Sequence, residues 1–158
     1  MTGFLKYFPL LASIAFAPSV DAGALEYKAI ESVPIGKAMQ LSGLSPRPAA
    51  VVCVLQPYQD RLFSKETFAV KANIYLAEQN YVTGEGHFAF VFIGAETIDI
   101  STFKRSKQLD ILAKHEITSG RQDLPEGFVP QDCVSWDFAA LARISMRDRI
   151  YVVLGEVR

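Results

Sequence analysis

The chain has 158 residues, 50% hydrophobic and 21% charged, with a formal net charge of -1. That composition excludes a disordered chain, and the near-neutral balance excludes nucleic acid as the main partner, because phosphate binding needs concentrated positive charge. The length fits one domain with a substantial core.

Residues 1–22 carry Lys6, an apolar stretch from Tyr7 to Ala17, Pro18, and a Val20-Asp21-Ala22 ending. This is the layout of a secretory signal peptide cut after Ala22. The apolar run is shorter than the ~20 residues a membrane-spanning helix needs, and Pro9 and Pro18 interrupt it. The expectation is one β-rich globular domain over residues 23–158, periplasmic or secreted, with no membrane span after cleavage. Loss of Lys6 and Asp21 together leaves the net charge at -1.

Residues 25–33 read as a weak strand, followed by a loop with Pro34, Gly36, Gly43, Pro46 and Pro48. Residues 49–55 form a strong strand rich in β-branched side chains, stopped at Gln56-Pro57. Next, Phe68, Val70, Ala72, Ile74 and Leu76 alternate with Lys71 and Asn73, the period of a half-buried strand. Gly84-Glu85-Gly86 supplies a turn, residues 88–93 a strand buried on both faces, Gly94-Ala95-Glu96 a second turn, and residues 97–100 the start of a return strand. Gly84 to Ala89 also matches the Gly-x-Gly-x-x-Ala of dinucleotide-binding turns. That motif must open a helix whose N-terminus receives the pyrophosphate, and the strand-like residues 88–93 predict a hairpin turn instead.

The return strand runs into Ser101-Thr102-Phe103-Lys104, the Ser-x-x-Lys spacing that carries the nucleophile of penicillin-recognising acyl enzymes. Their chemistry needs serine and lysine on one face of a buried helix, with Ser-x-Asn and Lys-Thr-Gly elements nearby. The chain has neither element, and Lys104, Arg105 and Lys107 follow the serine where a buried helix would need apolar residues. Ser101 is therefore read as the end of a strand. The cluster Lys104, Arg105 and Lys107 becomes the candidate partner-binding turn, with Arg143, Arg147 and Arg149 flanking a second basic turn.

Residues 109–117 alternate weakly as a strand. Within them His115-Glu116 starts like a zinc-protease helix, but Ser119 stands where the second histidine belongs. With His87 the only other histidine, neither a metal site nor another cofactor is expected. Residues 119–130 form the longest loop. Residues 135–145 alternate like a strand yet have the Ala-Ala-Leu-Ala-Arg composition of a helix, and helix is the reading taken. Residues 150–154 are an unambiguous final strand.

Cys53 and Cys133 are the only cysteines. In an oxidising compartment they predict one disulfide. The predicted architecture is mainly β: a single antiparallel barrel or sandwich of about seven or eight strands, with one packed helix, or an α+β arrangement as the alternative. Tyr58, Tyr75, Tyr81 and Trp136 are amphipathic rings suited to an interface. The functional expectation is an exported, non-enzymatic domain that binds another protein: an inhibitor, an immunity-type protein or an accessory subunit. A small secreted hydrolase is one alternative. A β-barrel carrier of an apolar ligand, suggested by the phenylalanines at 88, 90 and 92, is another.

Overall fold

The structure is a computed structural model that describes residues 25–46, 48–117 and 124–158. The expected signal segment and the first part of the 119–130 loop lie outside the described residues. Two sheets face each other. The five-stranded sheet contains β1 (Lys37–Gln40), β5 (Asp110–Ile111), β6 (Phe128–Pro130), β8 (Ala139–Met146) and β9 (Arg149–Val157). The four-stranded sheet runs β4 (Ile98–Lys104), β3 (His87–Ile93), β2 (Val51–Leu55), β7 (Cys133–Ser135). The fold is thus mainly β and sandwich-like, as the sequence predicts, and open rather than a closed barrel. All pairs are antiparallel except β5 with β9.

Alternation builds the layers. On β3, Phe88, Phe90 and Phe92 point between the sheets, where they meet Phe103, Val52, Val54, Leu141, Val152 and Leu154. The Phe88 and Phe103 rings stack at 5.4 Å, and Phe90 meets both edge-on at 5.9 Å. The intervening Ala89, Val91 and Ile93 face the other way, onto Ala69, Ala72 and Leu76 of helix α2 (Thr67–Glu78). The phenylalanine-rich strand is therefore core. Cys53 and Cys133 stand opposite each other across β2 and β7 and form the predicted disulfide.

Five local readings are corrected. Residues 68–76 form α2 rather than a strand: the buried set is Ala69, Ala72 and Leu76, at helical spacing, whereas Val70 and Ile74 face solvent. The helix ends in a Schellman motif with Asn80 at φ 50°, Tyr81 N–H donating to Leu76 O and Asn80 N–H to Ala77 O. It follows that Gly84-Glu85-Gly86 joins a helix to a strand and is not a hairpin turn. Residues 25–33 contain the short helix α1 (Tyr27–Ser32) in place of a weak strand. Residues 135–145 are a short 3₁₀ turn and then β8; Ala139 and Leu141 face the inter-sheet core while Ala140, Ala142 and Ile144 are buried on the opposite face. Burial on both faces outweighs alanine's helix propensity, which is a weak preference. Finally, the predicted strand over 109–117 shortens to Asp110–Ile111, after which the chain turns through Lys114–Glu116.

Arg143 is also not the surface cation the sequence suggests. It is 8% exposed, and its Nη1 donates to the Glu31 and Val33 carbonyls, the latter at 2.8 Å, closing the C-terminal end of α1. Hydrogen bonds from a charged donor contribute about 1.5 to 3 kcal/mol. Arg143→Met keeps much of the packing volume and removes these bonds, so it should lower unfolding stability by about 2 kcal/mol in a urea titration.

Candidate functional site

Between β2 and α2 lies a loop over residues 56–66. Gln59 N–H donates to Gln56 O at 3.1 Å, and Pro57 and Tyr58 occupy the two central positions of that turn. Proline at the first central position suits a type II turn, whose second position needs φ above zero and normally takes glycine or asparagine. Here it is Tyr58, at φ 65°, and a bulky side chain in the left-handed region costs about 1 to 3 kcal/mol. Its ring is 67% exposed. Neighbouring backbone fixes the position: Tyr58 N–H donates to Thr83 O at 2.8 Å, and Thr83 N–H returns to Gln59 O at 3.0 Å. Further on, buried Leu62 is tied to the Asn73 side chain of α2 by two hydrogen bonds, at 2.7 and 3.0 Å. Phe63, next in sequence, is 78% exposed.

The basic turn adjoins this tip. Partial desolvation, then the neighbouring Glu85 carboxylate, hold the Tyr58 phenol above the ordinary range while the nearby Arg105 charge pulls it down. Arg105 N–H donates to Gly86 O at 2.7 Å, joining the β4 exit to the turn that precedes β3. The Arg105 guanidinium forks onto Asp110, Nε to Oδ1 and Nη2 to Oδ2 at 3.1 Å, and the carboxylate holds it above the usual arginine range. Arg149 Nη1 donates to Asp110 Oδ2 at 2.8 Å and to Ser106 O at 3.1 Å. The two basic clusters that are distant in sequence thus meet on one buried carboxylate. Lys104 and Lys107 remain exposed beside it, with Lys107 O accepting from Ile150 N–H at 2.8 Å.

Asp110 is the keystone, 1% exposed, between two arginines about a third exposed, at 35% and 36%. Removing one member of a buried ion pair costs about 3 to 5 kcal/mol. Arginines with this much access to water recover part of that, so Asp110→Ala should cost about 2 kcal/mol of stability. The measurements are urea unfolding and amide exchange at Leu109 and Ile150, which should accelerate as the turn loosens.

Other sequence candidates fall into place. Ser101 lies within β4 rather than at its end, and is buried; Lys104, three residues on along a strand, projects to the opposite face. The Ser-x-x-Lys match therefore has no shared face on which to act. His115 is exposed on the 3₁₀ turn, and His87 is half-buried at the start of β3. Among the described residues no three His, Cys, Asp or Glu side chains gather as metal ligands. Of the interface-type rings, Tyr75 is half-buried on α2, Tyr81 is bonded through its hydroxyl to Thr102 Oγ1 at 2.8 Å and Trp136 packs on Phe92, leaving Tyr58 as the presented one.

Sequence reasoning missed Asp110, Phe63 and the strain at Tyr58. The apolar pair Leu62-Phe63 inside the otherwise polar stretch Gln59 to Glu66 is the signal that would have marked Phe63; Pro57 followed by a residue other than glycine or asparagine would have marked the turn. No helix among the described residues is long and apolar enough to cross a membrane. Comparison with protein-family models, curated proteins and solved structures finds no match.

Proposed function

We propose that this is an exported, non-enzymatic binding domain that engages another protein through the Tyr58 turn and the adjoining basic residues Lys104, Arg105 and Lys107. An inhibitor, immunity-type or accessory role has this character. The signal-like residues 1–22 and the Cys53–Cys133 bridge support export, to the periplasm or beyond the cell.

The observation that carries the reading is Tyr58 itself: a strained backbone in a well-tied loop, holding out a 67% exposed ring. Strain of this kind persists where the surroundings over-determine it, and it concentrates at functional positions. Tyrosine flanked by arginine is also the composition of interface hot spots. Ser64, His115 and Asp132 line a common cleft, which would be the hydrolase's best position. Yet Ser64 Oγ accepts from Glu66 N–H, Asp132 Oδ1 accepts from Lys114 N–H, and no hydrogen bond among the described residues joins His115 to either. The carrier reading loses its motive, since Phe88, Phe90 and Phe92 pack as inter-sheet core.

Site-specific crosslinking tests the proposal. Benzoylphenylalanine introduced at Tyr58 or Lys107 of the exported protein should capture the same envelope protein, whereas the same group at exposed Glu126 should not. Capture of no protein from either position, with a small molecule retained by the purified domain, would overturn it.

A further inference from the structure

A second site adjoins the Tyr58 turn through Gln56 and Gln59, in the cleft that runs from Phe63 to the disulfide edge of the four-stranded sheet. Its volume is about 410 Å³, within the range of small-ligand pockets. We infer that it binds a neutral saccharide.

Three glutamines, Gln56, Gln59 and Gln131, line it. Each amide both donates and accepts, the pairing that a polyhydroxylated ligand requires, since every sugar hydroxyl does the same. Much of this capacity is unspent. Gln59 uses only Oε1, accepting from Gln56 N–H at 2.9 Å, and Gln131 uses only Oε1, accepting from Lys114 Nζ at 2.7 Å. The amide NH₂ groups of both, and the whole Gln56 amide, have no partner among the described residues.

Charge selects against ionic ligands. Lys114 and Asp132 both border the cleft and offset each other, so it presents no net field to an anion or a cation. Shape supplies the remaining element. Phe63 lines the cleft with a 78% exposed ring, while Val54 and buried Leu62 supply apolar wall. An exposed aromatic ring beside planar amides offers a platform for the C–H face of a pyranose, with the hydroxyl edge turned toward the amides. Leu62, fixed to Asn73 of α2, holds the adjacent Phe63 backbone in place before any ligand arrives, which lowers the ordering cost of binding.

The test is a heteronuclear NMR titration of the exported protein with the neutral trimers triacetylchitotriose, cellotriose and maltotriose. At least one trimer should shift the Phe63 ring and the glutamine side-chain amides saturably in the millimolar range. Phe63→Ala should weaken that binding by about tenfold, and Gln131→Leu should weaken it independently of any effect on Phe63. Lys107→Glu, at the basic turn, should leave it unchanged. No response to any of the trimers, an unaltered response in Phe63→Ala, or a response to inorganic phosphate in place of sugar would each overturn the assignment. The outcome is read separately from the crosslinking at Tyr58, because Phe63 and Gln131, the residues substituted here, are not in the proposed protein-binding surface.

Discussion

Breaking the Cys53–Cys133 bridge is expected to remove about 4 to 5 kcal/mol of stability, the chain-entropy value for a loop this long. The bridge spans 80 residues, a large part of the folded chain. A domain of this size holds about 5 to 15 kcal/mol in total, so the reduced protein should sit near its folding threshold. Local structure concentrates the effect. β7 has only three residues and pairs with β2 at the outer edge of its sheet, so the covalent link reinforces a short ladder. Trp136, which follows β7 and packs against Phe92, should loosen with it. Urea unfolding of the oxidised protein and of the Cys53→Ala/Cys133→Ala variant, followed by tryptophan fluorescence, measures the difference. Matching midpoints would show that the strand ladder suffices without the bridge.

The same residues explain how far the fold could be read in advance. β2, β3 and the start of β4 were legible because β-branched and aromatic runs are bounded by Pro57, the Gly84–Gly86 turn and the Gly94–Glu96 turn. The cysteine pairing was legible because it had one solution. α2 was not, because Phe68, Val70, Ala72, Ile74 and Leu76 alternate in sequence although Val70 and Ile74 lie on the solvent side of a helix. β8 was misread for the converse reason: its alanines favour helix locally, and only the layers on either side make them strand residues.

The candidate site was legible in its parts and illegible in its assembly. Lys104, Arg105 and Lys107 stood out as a charged turn, and Tyr58 as an amphipathic ring. Their proximity depends on the return of β4 beside the turn that precedes β3, and on Asp110, a residue with no sequence signal of its own. Arg105, expected as part of a partner-binding turn, also pairs with that buried carboxylate. The Tyr58 strain is a backbone property, hinted at only by the preceding proline.

Tyr58→Gly separates function from folding at this position. Glycine adopts the left-handed conformation without steric cost, so the variant should unfold at higher urea, by about 1 kcal/mol of added stability. If the ring is the anchor of the interface, its removal should cost about 2 to 4 kcal/mol of binding, the hot-spot range. Most substitutions that weaken binding by damaging a protein also destabilise it; here the two quantities should move in opposite directions. The decisive measurement is therefore paired: urea stability and partner capture from the envelope fraction, for the native chain and Tyr58→Gly side by side. A more stable variant that no longer captures the partner is the predicted result, and a variant that captures it as well as the native chain would contradict the account.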